Sequence, residues 1–105
     1  MFGELLPEDL SGIRVLDLGC GSGWFSRRAR QRGANVVSLD ISRSLVFIAR
    51  RRTQDLALVA DAELTPFAGG SFQLIVSSEM LEHLREPERG VMEIGRILAP
   101  VEWPP

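Results

Sequence analysis

Four short apolar runs, Arg14 to Leu18, Asn35 to Leu39, Leu56 to Ala60 and Phe72 to Val76, are spaced along the chain without clean polar alternation. Runs of Val, Leu and Ile with this pattern predict strands buried on both faces, as in a parallel sheet. Between the first two, Ser22 to Arg32 opens with a serine cap, carries Phe25 and Ala29 one turn apart and stops at Gly33, which predicts a helix. Ser42 caps a second helix, with Ile41 and Val46 in hydrophobic-staple positions and Leu45, Ile48 and Ala49 leading to Arg50, Arg51 and Arg52. Pro66, Gly69 and Gly70 make the third connection a loop with at most one helical turn. A further turn is expected around Glu79 to Leu84. Pro87 then suits a first helical position, and Val91, Ile94 and Leu98 are expected to form one face of a helix that ends before Pro100.

Strands alternating with helices imply an α/β fold, a Rossmann-like doubly wound parallel sheet in a single domain over residues 1–105. Right-handed crossovers place strands 2 and 3 on one side of strand 1 and strand 4 on the other, giving the order 3-2-1-4. Ligands of such sheets bind beyond the carboxyl ends of the strands, at the switch point between strands 1 and 4.

Composition narrows the chemistry. The hydrophobic fraction of 45% and charged fraction of 25% suit a globular domain, and no apolar run is long enough to span a bilayer. No secretory leader is visible, so a cytoplasmic location is expected. The single cysteine, Cys20, excludes an internal disulfide and a cysteine-rich zinc site. All 12 basic residues are arginine, which removes P-loop and Schiff-base chemistry because both need lysine. A net charge of −2 gives no general preference for nucleic acid or an anionic membrane, and neither is expected as a partner. The arginine clusters at 27–32 and 50–52 read as solvated helix faces.

Strand 1 runs directly into Asp17-Leu18-Gly19-Cys20-Gly21-Ser22-Gly23-Trp24, a loop whose glycines permit a tight turn and a ligand lying against bare backbone. Trp24 stands where a dinucleotide fingerprint needs its third glycine, so NAD is disfavoured. Asp17 would also repel a pyrophosphate and suits a cationic ligand. Asp40 ends strand 2, about 19 residues past the middle of the loop, where a carboxylate can accept hydrogen bonds from ribose hydroxyls. Asp61 ends strand 3. Carboxylates at the tips of three adjacent strands form a set that packing alone does not call for.

These residues resemble the class I S-adenosylmethionine-dependent methyltransferases, specifically the type 11 methyltransferase domain. The similarity is carried by Val15 to Gly23, Asp40-Ile41-Ser42, Asp61-Ala62-Glu63 with Pro66-Phe67, Phe72 to Val76, Glu79-Met80-Leu81-Glu82-His83 and Pro87 to Leu98. The resemblance implies S-adenosyl-L-methionine as cofactor. Asp17 with Gly19, Cys20 and Gly21 would hold its methionine end, and Asp40 with the adjoining Ile41 its ribose. Asp61 and the backbone of Ala62 would meet the adenine edge, and the backbone near Ser77 the methionine amine. It also implies a small-molecule methyl acceptor. His83 and Glu79 are the candidate catalytic residues, His83 as the base. Glu79, Glu82 and His83 share one helical face, a spacing that can also hold a divalent cation, but a complete metal site is not expected.

Gln73 stands where the family usually has aspartate. Family members also continue from Leu98-Ala99-Pro100 into further strands of a seven-stranded sheet, so the ending Val101 to Pro105 reads as a C-terminally truncated domain. Strand 4 is then expected to be an apolar edge that joins two copies into a homodimer or makes the chain poorly soluble. Two other functions stay open: a cofactor-binding fragment without transferase activity, and an NAD-binding Rossmann module.

Overall fold

A computed structural model describes residues 7–19, 24–53, 56–77, 80 and 83–100. Within them the chain forms β1 (Arg14–Leu18), α1 (Trp24–Gln31), β2 (Asn35–Asp40), α2 (Arg43–Thr53), β3 (Leu56–Val59), β4 (Leu74–Ser77) and α3 (Pro87–Ile97). The strands make one parallel sheet in the order β3-β2-β1-β4, as the alternation of strand and helix signals requires. Register is tight at the carboxyl ends: Leu18 lies opposite Leu39 on β2 and Ser77 on β4, and Asp40 lies opposite Val59.

The period of two along β1 divides the core. Val15 faces α1 with Phe25, Ala29 and Val36, while Leu16 and Leu18 face the other way into a cluster with Leu39, Ala62, Phe72 and Ile97. Val46 and Ala49 of α2 pack on Ala57 of β3. Helices α1 and α2 thus cover one sheet face, and α3 with the connection after β3 covers the other. No helix among the described residues is long and apolar enough to cross a membrane.

Local chemistry explains the helix ends. Gly33 adopts φ 94° and closes α1, with its N–H donating to Arg30 and that of Ala34 to Ala29, the paired bonds of a Schellman stop. At α2 the Ser42 hydroxyl accepts from the Leu45 N–H at 3.3 Å, so the cap forms. The staple does not: Val46 is buried, but Ile41 is 70% exposed.

Three further expectations need correction. Only β1 and the middle of β2 are enclosed on both faces; β3 has exposed Leu56 and Val59, and β4 is half-buried throughout, because both are edge strands with a neighbour on one side. The fourth strand starts later than the apolar run, at Leu74. Phe72 instead pairs with Leu98 after α3, accepting from the Ala99 N–H and donating to the Ile97 carbonyl, so the start of the expected free edge is partly covered. The inward face of α3 is Gly90, Glu93 and Ile97, with Ile94 packed at its margin as expected, whereas Val91 and Leu98 are exposed. A buried glutamate on that face masked the true periodicity.

Candidate functional site

A cavity of about 390 Å³ opens beyond the carboxyl ends of β1, β2 and β3. That is within the ~300–1,000 Å³ common for small-molecule sites. Gly19, Asp40, Ile41, Asp61 and Ala62 line it, and the segment after β4 closes the far wall with Met80, His83 and Leu84. Five of the nine residues expected to meet a cofactor therefore share one cavity, together with His83.

Each acid on its rim is oriented by its own turn. Asp40 Oδ1 accepts from the Ser42 N–H at 2.9 Å, and Asp61 Oδ1 accepts from the Glu63 N–H at 2.9 Å. An aspartate bonding two residues ahead is the usual way such a turn is fixed, and here it also aims a carboxylate at the cavity mouth. Gly19 has φ 78°, and a Cβ there would lie 2.7 Å from Met80 Cγ and 2.8 Å from Met80 Cβ. Bare backbone is thus required where β1 meets the cavity wall.

Asp17 sits differently. It is on the face of β1 that α1 covers, only 4% exposed, and accepts a 2.8 Å hydrogen bond from the Ser26 hydroxyl, which in turn bonds Ser38 on β2. Burial pushes its carboxyl up to about 6; the Ser26 hydrogen bond opposes the rise and the Asp40 charge adds to it. Ser26 and Ser38, both fully buried, escaped the sequence reading. Their signal was a serine on the apolar stripe of a helix and another between Val37 and Leu39.

At the switch point, Ser77 ends β4 opposite Leu18, and its Oγ is buried with no hydrogen-bond partner among the described residues. Such an atom is expected to find a partner in a ligand or in the neighbouring chain. Cys20, Gly21, Glu79 and Glu82 lie outside the described residues.

The connection that carries Asp61 and Ala62 is held by α3. Glu93 Oε2 accepts from the Thr65 N–H at 2.7 Å and the Thr65 hydroxyl at 2.5 Å, while Arg96 Nε and Nη2 grip the same carboxylate at 2.7 and 2.8 Å. Arg96 Nη2 also donates to the Phe67 carbonyl at 2.8 Å. The Arg96 hydrogen bond chiefly, with those from Thr65, holds the Glu93 carboxyl down at about 2 against the cost of its burial.

Comparison with known proteins gives a consistent set. A family model described as a methyltransferase domain matches residues 16–101. The ubiquinone biosynthesis O-methyltransferase of Xanthomonas oryzae pv. oryzae is 35% identical over 98 residues, which cover 88% of this chain and 41% of that protein. The magnesium-protoporphyrin O-methyltransferase of Rhodobacter capsulatus is 36% identical over 97 residues, 89% of this chain and 41% of that one. A crystal structure of an S-adenosylmethionine-dependent methyltransferase from Mesorhizobium loti superposes with a TM-score of 0.80 at 35% identity, covering 92% of this chain and 46% of the other. The chain spans less than half the length of the curated relatives it matches.

Proposed function

The chain belongs to the methyltransferase domain family, which uses S-adenosylmethionine, and from that premise we propose that it binds this cofactor at the strand tips and serves methyl transfer to an oxygen of a small-molecule acceptor. The observation that carries the proposal is the convergence of Asp40, Asp61 and the glycine wall on one cavity. The donor set suits the group: carboxylates for ribose hydroxyls and a cationic head, bare backbone for close approach, and an orphaned Ser77 hydroxyl beside the switch point.

Asp40 and Ile41 would hold the ribose, and Asp61 and Ala62 the adenine edge. Gly19, Cys20, Gly21 and Ser77 would meet the methionine end, with the Asp17 carboxylate adding negative potential beneath the loop. When bound, S-adenosylmethionine supplies a methyl group that is already activated. The chain is left with in-line placement of the acceptor, exclusion of water and disposal of one proton. His83 on the cavity wall takes that proton from an acceptor hydroxyl and passes it to solvent, with Glu79 in the same segment as its proposed companion.

Oxygen as the acceptor atom is favoured by the relatives named as O-methyltransferases. The test is transfer of labelled methyl from S-adenosylmethionine to a panel of phenols and carboxylic acids, with His83→Asn beside the parent. Turnover of a phenol that His83→Asn lowers at least about tenfold, with cofactor binding unchanged, is the expected result; a carboxylic acid, already ionised at neutral pH, releases no proton in the step and its turnover should not depend on His83. Binding without turnover on any acceptor would favour the second function, a cofactor-holding segment, which the partial coverage of the relatives keeps open.

A further inference from the structure

The modest net charge conceals a sharp segregation. Residues 24–53 carry eight of the twelve arginines and one acid, Asp40, whereas the rest of the chain carries four arginines and thirteen acids. Topology turns this into a surface. Residues 24–53 are α1, β2 and α2; the strand lies within the sheet, and both helices lie side by side on one face. Asp40 points into the cavity at the strand tip, so the outer face of the helices contains no acid. Arg27, Arg28, Arg43 and Arg51 are exposed on these helices, while Arg50, also exposed, donates to the Ala57 carbonyl and Arg30 lines a cleft with Arg14 and Phe72.

The same face carries large apolar side chains. Trp24 is 49% exposed, Phe47 60% and Ile48 41%, because the inward positions of the two helices are already taken by Phe25, Ser26 and Ala29 and by Val46 and Ala49. Arg27 of α1 shares a surface cleft with Phe47, Ile48 and Arg51 of α2. The guanidinium of Arg28 lies 4.8 Å from the Trp24 ring centre, and that of Arg51 lies 5.7 Å from the Phe47 ring centre. Isolated exposed hydrophobics are ordinary; rings interleaved with arginines on a two-helix face that has no acid of its own are not.

We propose that the outer face of α1 and α2 docks on an anionic lipid surface, its arginines among the headgroup phosphates and Trp24, Phe47 and Ile48 at the headgroup boundary. Charge complementarity chooses an anionic partner, and the mixture of indole, phenyl, aliphatic and guanidinium groups is the chemistry of a membrane interface. A nucleic acid is less well suited, because stacking needs free ring faces and here guanidiniums lie over the Trp24 and Phe47 rings. Trp24 and Arg43 begin their helices at the cavity end of the sheet, so docking would bring the exposed Ile41 on the cavity rim beside the lipid. The proposal does not depend on which cofactor fills that cavity.

The test is vesicle flotation with the whole 105-residue chain. Retention on phosphatidylglycerol–phosphatidylcholine vesicles at low salt, and none on phosphatidylcholine alone, is expected. Each arginine near an anionic surface strengthens binding by roughly fivefold, so Arg27→Glu with Arg51→Glu should weaken it by at least about tenfold. Phe47→Ser with Ile48→Ser should also weaken it, while Arg89→Glu on the opposite side of the sheet should change it by less than about twofold. Circular dichroism confirms that each variant is folded. Failure of the folded parent to float with anionic vesicles, or equal retention of the Arg27/Arg51 variant, would overturn the proposal. So would displacement from the vesicles by poly-uridine RNA or poly-glutamate that the Phe47/Ile48 variant does not alter, which would point to a nucleic acid or an acidic protein.

Discussion

Asp17 is the residue whose chemistry can be followed most directly. Its carboxyl titrates at about 6 in the folded chain against 3.8 for an ordinary aspartate, so between those values the folded state keeps a proton that the unfolded state has lost. Stability of the ligand-free chain should therefore rise as pH falls from about 7 toward 4, by up to about 3 kcal/mol, an increment absent again above the folded pKa. Thermal denaturation across that range should show the slope in the parent and its loss in Asp17→Asn. Glu93 acts with the opposite sign, since its carboxyl is held low, and its contribution disappears only as pH falls from about 4 toward 2. If the ionised Asp17 supports a cationic ligand, affinity for S-adenosylmethionine should weaken over the same window in which the free chain gains stability, by up to about tenfold per pH unit. Parallel rather than opposed trends would separate Asp17 from the ligand. The aspartates at 17, 40 and 61 were legible in the sequence because strand ends locate them. That Asp17 turns under α1 toward Ser26 was not, because the side on which a strand residue points depends on register with the neighbouring helix.

Among the elements, α1 and α2 were readable because an apolar period meets a local end signal, Gly33 closing α1 and Ser42 capping α2, and β1 because its apolar run is unbroken. The start of β4 and the inward face of α3 were not. Phe72 belongs by composition to a strand, but its backbone is claimed by Ile97 and Ala99. Glu93 faces inward because Thr65 and Arg96 satisfy its carboxylate; Arg96 is one helical turn away, but Thr65 is 28 positions distant and no local pattern reveals it. Removing it should be costly. Glu93→Ala leaves the Thr65 N–H and one side of Arg96 without their acceptor, and a loss of about 2–4 kcal/mol in urea unfolding is expected. A change near zero would mean that the connection bearing Asp61 is held by apolar packing alone. Glu93→Gln, which keeps an acceptor for Thr65, should recover part of the loss.

For the whole molecule, the strand order and a cavity at the carboxyl ends followed from alternation and handedness, both properties of the sequence, but the cavity lies over β1, β2 and β3 rather than between β1 and β4. The charge asymmetry was written there too, but only the side-by-side placement of α1 and α2 makes it a surface. β4 remains the other unusual feature: Leu74, Ile75 and Val76 are half-buried, and among the described residues β4 pairs within the sheet only with β1. We propose that two copies of this chain associate along that edge, since an apolar edge without charge or proline favours pairing. Gel filtration with light scattering should show mass rising with concentration, and Ile75→Lys should lower the association; a monomer at every concentration would refute it. The strand-tip cavity is central to all of this except the lipid surface, and equilibrium dialysis against S-adenosylmethionine and S-adenosylhomocysteine probes it most simply. Retention of both by the folded chain, with at least about tenfold weaker retention by Asp40→Asn through the loss of charge-assisted bonds to the ribose, is the expected result. Retention of neither, by a sample whose circular dichroism shows the α/β fold intact, would contradict it.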